Sequence, residues 1–526
     1  MRDFQLPGRS QVFAANGICT TSHPLAARTA VRILEDGGNA VDAAIGAAVL
    51  LGLCEPQSTG LGGDLFALIQ PPNSHEIIAL NGSGRAPSGA SSARLRDQGM
   101  IRIPEYSADA VTIPGAVDAF CRMSVDYGRK GLAASLAPAI KYAEEGVPVS
   151  PRVRFDWQRS AGILQADGQR HFLFDGKPPS VGSLFRAPGQ AEVLRRILKS
   201  GREGFYEGEV TDDMVHSLRR AGGCHTADDF AATECAYAPP IRGSYGGFDI
   251  YECPPNGQGA TAILLANILS SLRLPKDAPF GMHRTHLETE AIKLAYDARD
   301  RFIADPDTTR KIEHLLSIET AEKLASLIDP DHPSADFPRR TAAIHRDTVL
   351  VIVVDRDRMA VSLIYSIFHS FGSGLASRKF GINFQNRGAG FTLEEGHPNE
   401  LAGRKRPLHT IIPAILRKGM TTLMPFGVMG GQYQAAGHAR LISNIVDYGM
   451  DPQQALDGPR SFPDNGILSV ERGYSPDVVE GLARMGHHVQ VPDSPIGGGQ
   501  AIWINPDNGV LQGASDHRKD GCAIGY

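Results

Sequence analysis

The chain has 526 residues, 42% hydrophobic and 21% charged, a balance that supplies a large core and excludes a disordered chain. Lys and Arg number 53 against 58 Asp and Glu, a net charge of −5, so there is no basic footprint for nucleic acid or for an anionic membrane surface. The seven cysteines (19, 54, 121, 224, 235, 253 and 522) are odd in number, scattered and without a C-x-x-C pair, which reads as reduced thiols and not as a disulfide framework or zinc site. The opening MRDFQLPGRSQVFAANG lacks the apolar stretch of a signal peptide, and the longest nearly apolar run, 43–53, falls well short of the ~20 residues of a membrane span. A cytoplasmic protein is expected.

Two helices open the pattern. Residues 24–34 carry apolar side chains at helical spacing and stop at Gly37-Gly38; residues 40–53 are apolar nearly all round and so belong in the interior. EPQSTGLGGD then feeds a strand, LFALIQ, and IIALNGSGRAP (77–87) is a second strand with a turn. Helical patterns return over 116–146, 190–200 and 212–220. A strand over 247–253 runs through PPNGQGA into a helix over 261–272, and HLETEAIKLAYDARDRFI (286–303) has the spacing of a strongly amphipathic helix. Residues 326–347 lose all periodicity, with three prolines and mixed charges, and mark an exposed linker.

The pattern changes directly after it. TVLVIVVD (348–355) is a near-continuous β-branched run, the signature of a strand covered on both faces. RDRM makes a turn and AVSLIYSIF (360–368) returns as the second strand of a hairpin. FGSG, GINF, TIIPAIL, FGVMGG and AIWIN continue as strands and glycine turns, with helices over 444–448, 452–456 and 476–485. Strands and helices come in blocks, which predicts stacked antiparallel sheets with helices outside and fits neither a Rossmann fold nor a TIM barrel.

Asp347-Thr348 is the most informative junction. A threonine that opens a buried strand straight after an exposed linker can act as an N-terminal nucleophile: once the preceding peptide is cut, its own α-amine takes the hydroxyl proton. The plain alternative is a strand-initiating Thr. Other motifs carry less. The GLGGD and GQGA loops lack the Lys-Ser/Thr of a phosphate-binding loop. His283 and His286 in HRTH read as capping or surface residues, with no acidic ligand placed on their face, and His345 reads as a solvated linker residue.

Several blocks, in order along nearly the whole chain, resemble the γ-glutamyltransferase family of N-terminal nucleophile (Ntn) hydrolases: HPLAARTAVRILEDGGNAVDAAIGAA, EPQSTGLGGDLF, NGSGRAP, IPGAVDAF, PPNGQG, HLETEAIKLAYDARDRFIADP, DTVLVIVVD, KRPLHTIIP, GVMGGQ and DHRKDGCAIGY. RP-x-HTIIP and GVMGG are more similar to its acylase-like and oxamate-amidohydrolase-like branch than to the classic transpeptidases. The resemblance implies an α+β fold, a four-layer αββα sandwich, made as a precursor. It implies cleavage between Asp347 and Thr348 into a large subunit, 1–347, and a small one, 348–526, that together form one domain. Thr348 would be the nucleophile of an acyl-enzyme. Ser366 stands where the family has a Thr that hydrogen-bonds the nucleophile, and Gly430 and Gly431 match the pair whose N–H groups form the oxyanion hole.

Four further positions match the family's substrate pocket. Arg85 stands two residues from the position of the arginine that holds the substrate carboxylate. Gln385 opens Gln385-Asn386-Arg387-Gly388, where the family has Gln-Met-Asp-Asp, so the acid that pairs an α-amine becomes Gly388. His409 and Thr410 replace paired serines, and Phe368 replaces an Asn. Burying an ammonium there without a partner would cost several kcal/mol. The expected substrate is therefore a small carboxylate-bearing amide, oxamate-like or glutaryl-type, cleaved by hydrolysis. The alternative is a γ-glutamyl amide or glutathione, with Glu394 or Glu395 supplying the acid. A third reading keeps the fold as an unprocessed scaffold. Neither cofactor nor metal is called for; the partners expected are a small amide and the two subunits of one precursor, with no nucleic acid or membrane, and a heterotetramer of two processed heterodimers left open.

Overall fold

The computed structural model describes residues 5, 8–276, 278–334 and 348–526. Its centre is a pair of seven-stranded sheets. One runs, in spatial order, Val12–Ala14, Leu511–Ser515, Gly498–Ile504, Thr421–Met429, Pro413–Lys418, Phe248–Glu252 and Ile241–Tyr245. The other runs Cys522–Gly525, Ile18–Thr21, Val349–Val354, Ala360–Ser366, Asp64–Gln70, Ile78–Gly82 and Ala236–Ala238. Every pairing within these two sheets is antiparallel.

The alternation of side chains along Val349–Val354 shows the layering. Leu350, Ile352 and Val354 pack between the sheets with Phe66, Ile364, Ile415 and Ile502. Val349, Val351 and Val353 point the other way, into a cluster built with the helices Pro24–Glu35, Ala40–Cys54 and Ala116–Tyr127. A strand with period-two side chains buried on both faces has no polar face to show, which is why its sequence is a continuous apolar run. The other sheet is covered by Gly259–Ser271, Met282–Phe302 and Gln434–Val446. Helix, sheet, sheet and helix make the four-layer αββα sandwich of the Ntn hydrolases.

Most of the elements expected lie within two residues of their bounds; the helix expected over 444–448 is instead Gln434–Val446. Met282–Phe302 differs in character: five of its charged residues, Arg284, Glu288, Glu290, Lys293 and Arg299, are buried and not turned to water. The charges are accommodated because they pair, Arg284 Nε with Glu288 Oε1 at 2.7 Å and Lys293 Nζ with Glu290 Oε1 at 2.9 Å. No disulfide joins the cysteines. Among the described residues no helix is long and apolar enough to cross a membrane. The part of the expected linker from 335 to 347, with Asp347 and His345, lies outside the described residues.

Candidate active site

In the 349–366 hairpin Val349 pairs with Tyr365, so Thr348 stands opposite Ser366 one step beyond the end of the ladder. On the far side Ser366 pairs with Asp64. Three strand ends of one sheet thus line up Thr348, Ser366 and Asp64 in a row. Both hydroxyl residues are buried, and Thr348 Oγ1 donates to Ser366 Oγ at 3.3 Å. Ser366 Oγ also accepts from the Phe368 N–H at 2.9 Å and from Arg387 Nη2 at 3.4 Å. Phe368, two residues past the end of the strand, has φ +79°, which turns the chain out of the sheet.

Gly430 and Gly431 come from the other sheet. The Thr421–Met429 ladder stops at Met429, and the chain turns through Gly430 (φ +121°) and Gly431 (φ +58°), leaving both amides out of the sheet. A Cβ on Gly430 would lie 2.8 Å from the Gly497 Cα, so the turn needs glycine twice over. It is anchored from below. Gln258 Nε2 donates to the Gly431 carbonyl at 3.2 Å and to the Thr410 carbonyl at 2.7 Å, while Gln258 Oε1 accepts from Arg299 Nη1 at 2.9 Å. Arg299 also donates to Gln432 Oε1, and the Tyr296 hydroxyl to the Gln432 carbonyl.

Gln385 and His409 are brought together, but around Asp64. Asp64 Oδ1 accepts from Gln385 Nε2 at 2.8 Å and from the amides of Gly84 and Gly115 at 2.9 and 3.1 Å; Oδ2 accepts from His409 Nε2 at 3.1 Å. Four donors on one buried carboxylate make a structural hub. His409 Nδ1 accepts from the Ile411 N–H at 3.4 Å, which leaves the ring neutral with its proton on Nε2. Burial first, and then the Arg387 charge, push its pKa down to about 3. Gln385 and His409 thus support the pocket from behind.

Thr410 does face the site, through Arg387. The guanidinium donates from Nη1 to Thr410 Oγ1 at 2.9 Å and stacks 4.0 Å from the centre of the Phe368 ring. Arg387 is fully buried. Its signal in the sequence is a cation where the resemblance has an acid. Gly388 offers no substitute for the lost acid, because a Cβ there would lie 2.8 Å from the Ala110 carbonyl oxygen.

Two cavities meet at His369 and Gln432. The smaller, about 250 Å³, is lined by Thr348, Gly430 and Tyr433 and by four charged residues, Arg152, Arg159, Lys519 and Asp156. Cations are in excess there. The larger, about 810 Å³, is lined by Phe368 and Thr410, by the apolar Met100, Ile101, Phe391 and Leu393, by the acids Glu105, Asp300 and Glu394, and by Arg96 and Arg102. Neither Arg85 nor Arg387 lines either cavity; Arg387 reaches the site through Ser366 and Thr410, whereas Arg85 does not join the pocket. Its side chain is 41% exposed and pairs with Asp305 at 3.4 Å and the Arg404 carbonyl at 2.9 Å, because the shift along NGSGRAP puts it outside the strand Ile78–Gly82 that leads into the site. The GLGGD loop pairs its backbone with the protein itself, Gly62 bridging to Phe384.

The family model described as Gamma-glutamyltranspeptidase matches residues 26–526. The chain is 34% identical over 527 residues to the glutathione hydrolase-like YwrD proenzyme of Bacillus subtilis, covering 98% of this chain and 99% of that protein. It is 33% identical over 535 residues to the oxamate amidohydrolase proenzyme of Klebsiella pneumoniae, covering 98% and 99%. Among solved structures, the cephalosporin acylase from Bacillus halodurans superposes with a TM-score of 0.92 at 37% identity, over 100% of this chain and 99% of that one.

Proposed function

Since the chain belongs to the gamma-glutamyltranspeptidase family, and is an amidohydrolase of the Ntn type, we propose that it is cut at Asp347-Thr348 and then hydrolyses a small amide whose acyl group bears a carboxylate. The observation that carries the substrate class is Arg387, a buried cation two contacts from the nucleophile, where the resemblance calls for an acid. The excess of cations around the smaller cavity supports the same sign. A guanidinium this close to Thr348 favours short acyl groups of the oxamate type, and the 33% identical relative carries that activity in its name.

In this reading the freed α-amine of Thr348 takes the Oγ1 proton as Oγ1 attacks the amide carbon. The oxyanion lies against the Gly430 and Gly431 amides, which were left out of the sheet by the turn. The contact with Ser366 can reverse as the proton leaves, its hydroxyl then donating to Thr348 Oγ1. The amine product departs with the proton from the Thr348 amine, and water, activated by the same amine, releases the carboxylic acid from the Thr348 ester. A second reading, cleavage of γ-glutamyl amides, is favoured by Glu105, Asp300 and Glu394 on the larger cavity, which could meet an ammonium.

Initial rates separate the two. Oxamate or a glutaryl anilide is expected to show kcat/KM at least ~10-fold above a γ-glutamyl anilide, the scale of one well-made charged contact. Arg387→Met, in preparations whose mass shows complete processing, should lose that preference. A faster γ-glutamyl anilide would sink the proposal and favour the second reading.

A further inference from the structure

Away from Thr348, three metal-ligating side chains converge from stretches far apart in sequence. His286 and Glu290 are one turn apart on Met282–Phe302 and so share a face of that helix. His487 follows Gly486, the left-handed C-cap of Pro476–Met485, and sets its Nε2 2.8 Å from His286 Nδ1. All three are buried, and one potential ligand atom of each lies within 4.8 Å of the others. The sequence reading had paired His286 with His283 and found no acid on their face. His283 is exposed, and the acid is Glu290, four residues further on.

The hydrogen bonds around the cluster orient its donors. His286 Nε2 is 2.8 Å from the Asp329 carbonyl, which can only accept, so Nε2 carries the proton and Nδ1 turns its lone pair towards His487 and Glu290. A carbonyl on the outer nitrogen is the support that metal-bound histidines generally have. Glu290 Oε2 is held by the Ser334 amide at 2.9 Å, and Oε1 stands 2.9 Å from Lys293 Nζ, which leaves Oε1 as the oxygen to offer an ion. Lys293 has a second acceptor in the Ser334 carbonyl at 3.1 Å, so it can yield Oε1 and remain hydrogen-bonded.

We propose that His286 Nδ1, His487 Nε2 and Glu290 Oε1 bind one divalent transition metal, zinc foremost, with water in the fourth position. Two imidazoles and a carboxylate are a donor set that zinc accepts readily. Two nitrogens on one tetrahedral zinc lie ~3.3 Å apart at ordinary Zn–N lengths. Binding therefore needs the rings to part by about half an ångström from their 2.8 Å contact, the ion replacing the proton they share. The ion's role is structural. It joins residues 286 and 290 to residue 487, which lie on opposite sides of the Asp347-Thr348 junction. Through Asp329 and Ser334 it also secures the last described residues before 335–347.

The test uses the whole protein, stripped with a chelator, dialysed and then given ZnCl2. We expect about one zinc per chain by atomic emission and a raised Tm. Co2+ in place of zinc should give the visible absorption of a tetrahedral site. Glu290→Gln, which keeps the side-chain shape, and His487→Ala should each bind zinc at least ~10-fold more weakly while keeping the wild-type circular dichroism. A folded wild-type chain that retains neither zinc nor cobalt after dialysis overturns the site, and no variant is needed for that result. So do folded variants that bind as tightly as wild type.

Discussion

Asp64 and His409 form a fully buried pair in which only one partner is charged. Four donors satisfy the carboxylate, and the neutral imidazole supplies one of them, so no second charge is buried. This has a consequence for pH. The ring stays neutral in the fold down to about 3, whereas an unfolded histidine takes its proton near 6.5. As pH falls below 6.5 the unfolded chain binds a proton that the folded chain refuses, and the stability present above 6.5 is progressively lost towards pH 3. His23, lowered to about 4 mainly by burial, acts with the same sign. Thermal midpoints between pH 7 and 4 should therefore fall, and fall less steeply in His409→Gln, whose amide can still donate to Asp64 without titrating. Equal slopes would mean that His409 charges freely in the folded chain. At this scale the sequence is an uneven guide. The family resemblance singles out Ser366, and the hairpin pattern puts it on the strand beside Thr348, because a strand hairpin is a local object. Arg85 was misplaced, because a shift of two residues past a strand end changes which partners a side chain meets, and those partners, Asp305 and Arg404, are far away in sequence.

The elements that shape the site end there, and each ends for a physical reason. The turn after Met429 depends on a positive φ at Gly430 and on its contact with Gly497. Gly430→Ala should move the amides of residues 430 and 431 and lower kcat by ~10²-fold or more, the usual cost of a lost oxyanion donor, with a smaller change in KM. Steady-state kinetics on the processed variant would show it; an unchanged kcat would take these amides out of the reaction. The Met282–Phe302 helix makes a different prediction. Glu288 pairs with both Arg284 and Arg440, all three buried. Glu288→Gln leaves two interior cations without their carboxylate and should cost about 3–5 kcal/mol, read from denaturant unfolding. A helix rich in charge looks amphipathic in sequence, but here its charges pair along the helix itself, with Arg440 of Gln434–Val446 added, and that lets it be buried.

Across the whole molecule the two segments on either side of Asp347-Thr348 are woven together. In one sheet Val349–Val354 and Ala360–Ser366 lie between Ile18–Thr21 and Asp64–Gln70; in the other, Pro413–Lys418 pairs with Phe248–Glu252. Cleavage at the junction would cut the chain without cutting a sheet. We expect denaturing mass spectrometry of the 56.4 kDa chain to give pieces of roughly 37 and 19 kDa, the smaller starting at Thr348 with the free amine that the mechanism needs. Native size-exclusion should elute both in one peak. Thr348→Ala should stay whole and inactive. Pieces that separate without denaturant would contradict the shared sheets, and turnover by Thr348→Ala would remove Thr348 as nucleophile.

Sequence alone determined the long apolar elements and the stacking of antiparallel sheets with helices outside; short helices such as Pro151–Ser160 and Ala166–Phe172 were not legible in it. Apolar periods of 3.6 and 2 report which faces are covered, and a run such as VLVIVV has no exposed face to offer. It also singled out Thr348, since a threonine opening a buried strand after a linker is a one-dimensional pattern. Tertiary structure decided what those patterns leave open: that Gln385 and His409 serve Asp64, that Arg387 and not Arg85 brings a cation to Ser366 beside Thr348, and that His286 meets His487. The reason is the same in each case. The direction of a polar side chain is set by the donor or acceptor that can satisfy it, and for these buried groups that partner comes from a distant stretch of the chain.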